Sequence, residues 1–278
     1  MSENKSLVLK SETDLKLFLH KNYMAQIKNF FGDEKQSLKF LSSVMTDVQK
    51  NPKLLESNPT SLVNAYMTMA QLGLMPSGVS GEAYVLPYNK GNQGLIAQFQ
   101  LGYQGLITLF FRAGGESIRS EIVRENDKFS FINGQITHEI DIFKSNADRG
   151  KPIGAYAIAK INGTEIAKVM NAKDILDMGK NFSKSFDTSF TPWKVENDPE
   201  LWMWKKTVLK QLGKLMPKNE TIFRAIAEDN KDSRLDKAEG LVEESKLAMG
   251  NFLKDGKENK EVKVEETAGA ESGEAHRG

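Results

Sequence analysis

The stretch LGYQGLITLFFRAGG, Leu101–Gly115, joins a strand-like segment to a helical pattern through Gly102-x-x-Gly105 and stops at Gly114-Gly115. Glycines at the mouth of a helix are where phosphate often binds, because the first N–H groups lack intrahelical partners and the backbone can approach closely. Such a turn serves a nucleotide pocket, a contact with a nucleic-acid backbone, or only a tight change of direction. A P-loop requires G-x-x-x-x-G-K-[ST], whose lysine neutralises the phosphates and whose hydroxyl holds magnesium; no stretch of the chain matches it. The turn also lacks the third glycine of a dinucleotide fingerprint and an acidic residue at suitable spacing.

Reactive groups for an enzyme are sparse. His20, His138 and His276 are scattered, one in each third of the chain, with no H-E-x-x-H spacing and no G-x-S-x-G elbow. With zero cysteines there is no disulfide, thiolate nucleophile or thiolate metal site. The acids Glu125 and Asp127 around Asn126 read as strand-end surface or as a fragment of a metal site. A two-metal nuclease needs several convergent acids, so it stands as an alternative, as does a non-catalytic assembly protein. No cofactor is expected.

Cations and aromatics are better supplied. In ELWMWKKTVLKQLGKLMPK, Lys206, Lys210 and Lys214 recur every four residues beside Lys205, opposite an apolar stripe of Leu201, Trp204, Val208, Leu212 and Leu215. That spacing predicts a positive ridge. The loop FKSNADRGKP carries Lys144, Arg149 and Lys151, and the opening turn carries Tyr103 and Gln104, with Arg112 near the helix end. Basic tracks interleaved with stacking aromatics are what single-strand binders use. The expected phosphate contacts are Lys205, Lys206, Lys210, Arg224, Lys144 and Arg149, with Tyr103, Gln104 and Arg112 along the same groove.

The elements that must position these residues are legible from periodicity. Leu38, Leu41, Val44, Met45 and Val48 mark a helix ending before Asn51-Pro52. Asn58-Pro59 caps a second helix, with Leu62, Tyr66, Met69 and Leu72 on one face, ending at Gly73; Met67, Met69 and Met75 read as core filler. EAYVLPY and LIAQFQL flank NKGNQG as a hairpin, the second strand alternating Leu95, Ala97, Phe99 and Leu101 against Gln98 and Gln100. The helix of the opening stretch follows, then a strand over Glu116–Glu125, which predicts a helix crossing between strands of one sheet. PIGAYAIAKI and TEIAKVM meet at Asn162-Gly163, a strong hairpin signal, and a helix follows near Asn171–Lys180. The fold class is α+β: antiparallel hairpins forming a small sheet packed with a crossing helix, flanked by N-terminal and C-terminal helices.

The 278 residues suffice for a sizeable core, and no apolar run approaches the roughly 18 residues of a membrane span. The N-terminus lacks the apolar region of a signal peptide, so a cytoplasmic protein is expected. The net charge of +1 hides an asymmetry: residues 226–278 hold 9 basic and 14 acidic residues, a balance of −5, and the other 225 hold 29 and 23, a balance of +6. The expected organisation is a partly helical segment over 1–32 with few core signals, a core over 33–228, and an acidic tail over 229–278. The tail contains an amphipathic stretch, AEGLVEESKLAMGNFLKD, that could dock a partner.

Several blocks together resemble the RecT family of phage and prophage single-strand annealing recombinases. They are A-x-L-G-L-x-P at Ala70–Pro76, G-x-A-Y-x-x-P-Y at Gly81–Tyr88, Q-x-G-Y-x-G at Gln100–Gly105, R-x-G at Arg112–Gly114, V-x-E-N-D-x-F at Val123–Phe129, and the Trp/Lys-rich helix. The resemblance covers about residues 35–225. It implies a DNA-binding protein that coats single-stranded DNA and anneals complementary strands into duplex without ATP. It further implies a homo-oligomer, as a ring or helical filament, a partner 5′→3′ exonuclease, and an acidic C-terminal region that docks onto the host single-stranded DNA-binding protein.

Overall fold

The computed structural model describes residues 8–76, 80–183, 185–216 and 220–230. The tail expectations beyond Asn230, its amphipathic stretch included, lie outside the described residues.

Two antiparallel helices open the chain. Helix α1, Glu12–Phe31, is capped by Ser11, whose side chain accepts from the Asp14 amide, and it ends at Gly32 in the left-handed conformation (φ 69°). Asp33 at once caps α2, Glu34–Lys50, accepting from the amides of Lys35 and Gln36. The first 32 residues prove richer in core groups than their pattern suggested, since Leu15, Leu19 and Ile27 are fully buried against Phe40, Leu41, Val44 and Val48 of α2. Leu38, expected on the apolar stripe, is largely exposed instead. Helix α3, Pro59–Gln71, begins at the Asn58 cap as expected and packs beneath this pair. Its Tyr66 hydroxyl donates to Asp47 of α2 at 2.8 Å, and Met67 and Met69 are core.

Strand β1, Ala83–Asn89, pairs with β2, Leu95–Leu101, in the predicted hairpin, Ala83 lying opposite Leu101. One alternation fails: Gln98 is buried together with Ala97 and Phe99 on either side of it. Helix α4, Tyr103–Arg112, then runs to β3, Gly115–Arg124. It does not cross within one sheet. The β1–β2 pair is one sheet, and β3 belongs to another, of order β3-β6-β7, with β6 at Pro152–Ile161 and β7 at Thr164–Asn171. A third pair, β4 (Lys128–Ile132) with β5 (Gln135–Glu139), turns at Asn133 (φ 50°) and Gly134 (φ 82°). Asn162 (φ 51°) and Gly163 (φ 74°) make the β6–β7 turn in the same way, as their sequence predicted.

The three-stranded sheet is covered on both faces. Ala155, Ala157, Ala159 and Ile122 join the main core, against which α6, Trp202–Gly213, packs. The opposite face carries Val123, Tyr156 and Ile158, covered by Phe129 and Ile136 of the β4–β5 hairpin. Helix α5, Ala172–Phe182, is N-capped by Asn171. Helix α7, Glu220–Asp229, lies against β2, α4 and α6. The α+β class with small antiparallel sheets and flanking helices is therefore as the sequence indicated. No helix among the described residues is long and apolar enough to cross a membrane.

Candidate nucleic-acid interface

Packing accounts for the two glycines of the opening turn. A Cβ on Gly102 would lie 1.9 Å from the carbonyl oxygen of Gly81, and one on Gly105 would lie 2.1 Å from that of Glu82. The amide of Gly102 donates to the Glu82 carbonyl at 2.8 Å. The first turn of α4 thus rests directly on the backbone at the start of β1, an approach that any side chain at either position would prevent. No side chain caps α4.

That seat fixes Tyr103, whose hydroxyl lies 3.3 Å from Ser120 Oγ of β3 and whose ring stands edge-on to Trp202 with centroids 4.9 Å apart. Trp202 opens α6 and is 45% exposed, and the ammonium of Lys205 sits over its ring, 4.7 Å from the centroid. Lys205 is also 3.4 Å from Glu200. Gln104 is exposed beside Tyr103. Tyr103, Trp202 and Lys205 therefore form one aromatic–cation cluster where the N-terminal ends of α4 and α6 meet. Trp202 was missed in the sequence because one aromatic among Trp, Met and Trp gives no sign of facing outward.

The loop over residues 183–201 positions that corner. Trp193 is buried and donates through Nε1 to Ser183 Oγ at 3.1 Å, while its carbonyl accepts from Nε1 of Trp204 at 3.3 Å. Asp198 accepts the Trp202 amide at 2.7 Å. Leu201 between them is fully buried and holds φ at +52°, uncommon for a branched residue, which turns Glu200 and Trp202 outward on either side of it.

The expected lysine ridge is mostly covered. Lys206 and Lys210 both reach Asp229, at 3.6 and 2.6 Å, and the other Asp229 oxygen accepts the Leu101 amide at 2.8 Å. Burial pushes the Lys206 ammonium down, while Lys206 and Lys210 outweigh burial at Asp229 and hold its carboxyl below the usual carboxylate range. This cluster fastens the end of α7 to the last residue of β2, next to the Gly102 turn. Leu215, assigned to the apolar stripe, is exposed.

Arg149 is likewise engaged, donating from Nε and Nη2 to the two oxygens of Asp127 at 2.8 Å each. Asp127 also lies 3.1 Å from His138 Nε2, and His138 Nδ1 lies 3.3 Å from the Tyr156 hydroxyl. The Glu125-Asn126-Asp127 segment is thus a structural knot: Glu125 accepts the Lys151 amide and Asn126 donates to the Asp148 carbonyl. Lys144 in the same loop is exposed. Arg112 and Arg224 converge elsewhere, on the C-terminal end of α3. Arg112 donates to the carbonyls of Gly73 (2.8 Å) and Leu72 (3.4 Å), and Arg224 donates to the Gln71 side chain. Cations there also suit the negative end of the helix dipole.

The structure therefore brings Tyr103 and Lys205 together through Trp202, groups Lys206 with Lys210, groups Arg112 with Arg224, and sets Arg149 in the loop knot. Comparison with known proteins converges on the same stretch of chain. The sequence model of the RecT family matches residues 38–242. Protein RecT of Escherichia coli (strain K12) is 32% identical over 194 residues, covering 67% of this chain and 69% of that protein. Uncharacterized protein YqaK of Bacillus subtilis (strain 168) is 32% identical over 179 residues, covering 63% of this chain and 58% of that one. This chain belongs to the RecT family of phage-type single-strand annealing recombinases.

Proposed function

We propose that this chain binds single-stranded DNA and anneals complementary strands into duplex without ATP, acting as a homo-oligomer in ring or filament form. The observation that carries this reading, beside family membership, is the Tyr103–Trp202–Lys205 cluster: an exposed indole flanked by a phenol and an ammonium. An aromatic face beside a cation suits a base and its neighbouring phosphate regardless of sequence. Gln104 and Lys144, both exposed, extend the contact surface, and Lys205 supplies the charge at its centre. Lys206 and Lys210 hold the end of α7 behind this surface and Arg149 holds the loop of Lys144, while Arg112 and Arg224 brace the C-terminal end of α3.

Annealing then needs no catalytic group and no cofactor. The cations neutralise one backbone while its bases stay open to a second strand. Stacking of about 1.4 kcal/mol per base-pair step drives duplex formation. Assembly of many copies orders a long run of nucleotides and raises the effective concentration of the pairing edges. In this reading residues 33–228 are the DNA-binding and oligomerising core of a cytoplasmic protein. The acidic end from 229 docks onto the host single-stranded DNA-binding protein, and a 5′→3′ exonuclease supplies the strands.

Intrinsic fluorescence tests the reading, because Trp202 is exposed while Trp193 and Trp204 are buried. Oligothymidylate should quench the wild-type emission strongly and that of Trp202→Phe weakly, with affinity reduced. Equal quenching in both proteins would remove this cluster from the interface.

A further inference from the structure

The turn after β5 places apolar side chains where turns rarely carry them. The Lys144 amide donates to the Asp141 carbonyl at 3.1 Å, so Asp141–Lys144 is a β-turn with Ile142 and Phe143 at its two corners. Gly, Pro, Asn, Asp and Ser dominate turns, because their backbones and short side chains suit them. Here Ile142 is 81% exposed, and Phe143, at 93%, is the most exposed large apolar side chain among the described residues. Single exposed apolar residues are common on protein surfaces, so exposure alone decides nothing.

What sets this tip apart is how firmly its loop is held. Asp141 Oδ1 accepts the Phe143 amide at 3.1 Å, which fixes the corner itself. Asp148 Oδ2 accepts the amide (3.2 Å) and the hydroxyl (2.6 Å) of Ser145, whose hydroxyl accepts the Asp148 amide in return at 3.2 Å. Beneath them the buried Arg124 donates from Nη1 to the carbonyls of Gly150 (3.0 Å) and Asn146 (3.4 Å), and Arg149 Nη2 reaches the Ile122 carbonyl at 3.4 Å. The backbone around Phe143 is therefore set before any ligand arrives, which keeps the ordering cost of binding low.

The surroundings select the ligand. Lys144 follows Phe143 and is exposed, and Ser145 and Asn146 beyond it are exposed and polar. A ring and a cation in a polar frame lack the contiguous apolar centre of a protein interface. They match a base and its phosphate, the pairing already made by Trp202 and Lys205. Both units are keyed to strand β3: Tyr103, beside Trp202, meets Ser120, and Arg124 holds the loop of Phe143. Those anchors are four residues apart, about 13 Å along a strand, comparable to roughly four stacked nucleotides.

We propose that Phe143 is a second base-stacking residue, with Lys144 receiving the neighbouring phosphate, which a single strand engages in addition to the Trp202 corner. This rests on the DNA-binding reading above and deepens it, giving each copy two aromatic–cation units. Every base offers a face to stack, so the second contact lengthens the site without adding sequence preference.

The test moves the exposed indole to the turn, as Phe143→Trp combined with Trp202→Phe in the full chain. Saturating oligothymidylate should quench it. Phe143→Ala alone should weaken binding of a long oligothymidylate about fivefold or more, the loss of one base stack, and Lys144→Gln should flatten the salt dependence by about one unit of slope. All these positions except Trp202 are open to solvent, so the variants should melt as wild type does.

An unquenched indole at position 143, with Trp202 of wild type quenched normally, overturns the proposal and leaves the DNA-binding reading in place. A blue shift of that indole that grows with protein concentration in the absence of DNA also overturns it, making the tip a contact between copies. If neither Trp202 nor position 143 responds to DNA, the DNA-binding reading fails and the proposal falls with it.

Discussion

Arg149 grips both carboxylate oxygens of Asp127, through Nε to Oδ1 and Nη2 to Oδ2, each at 2.8 Å. This bidentate pair closes the 140–151 loop onto the turn between β3 and β4. Through His138, 3.1 Å from Asp127, it also ties in strand β5. The loop that carries Lys144 therefore has a fixed base, and the hairpin over Tyr156 is fastened at its end.

Asp127→Ala would leave Arg149 largely buried without its partner. Breaking such a pair costs about 3 kcal/mol, which in a chain of this size is a fall of roughly 6–12 °C in Tm. Acid should do the same. Burial works against the charge of Asp127, yet the bonds from Arg149, the Arg124 amide and His138 bring its carboxyl down to about 2. A carboxyl lowered from its unfolded value of about 3.9 contributes fully above that pH and loses its contribution as pH falls through the folded value. Melting of wild type and Asp127→Asn should differ most above about pH 4 and converge toward pH 2; a gap independent of pH would contradict the assignment.

Gly105→Ala separates packing from propensity. In an open helix the change would stabilise by about 1 kcal/mol. Here the added Cβ meets the Glu82 carbonyl at 2.1 Å, so the first turn of α4 must lift away from β1. The expected result is a loss of about 1–3 kcal/mol in urea denaturation. A stabilised variant would show that the turn is not seated as described.

The α6 lysines should divide into two kinds. Lys205→Gln is expected to weaken binding to oligothymidylate and to flatten the salt dependence by about one unit of slope. Lys206→Gln, facing Asp229 in the buried cluster, should lower Tm and leave the slope unchanged once binding is measured on folded protein. If Lys206→Gln shifts the slope and spares Tm, the lysines form an open ridge after all.

Much of this was legible in the sequence. Asn162-Gly163 between two alternating runs predicted the β6–β7 hairpin, and Asn58-Pro59 predicted where α3 begins. The GxxG turn was a turn first, as the missing lysine and third glycine indicated. Asn133-Gly134 carries the same hairpin signal, but its strands of 5 residues each alternate too weakly to stand out. The lysine stripe of α6 was visible in its spacing, whereas the carboxylate that covers it comes from Asp229, 19 residues beyond Lys210. Helical periodicity says which side chains share a face and nothing of what a distant element lays on it. Trp202 escaped for the same reason: its exposure depends on the left-handed Leu201 and the Trp193-pinned loop before it.

The central claim is tested most directly by mixing two complementary oligonucleotides with the full chain, without nucleotide, and following duplex formation by energy transfer between end labels. The account predicts annealing well above the spontaneous rate, lowered in Trp202→Phe and in Lys205→Gln. Annealing no faster than the protein-free control would contradict it.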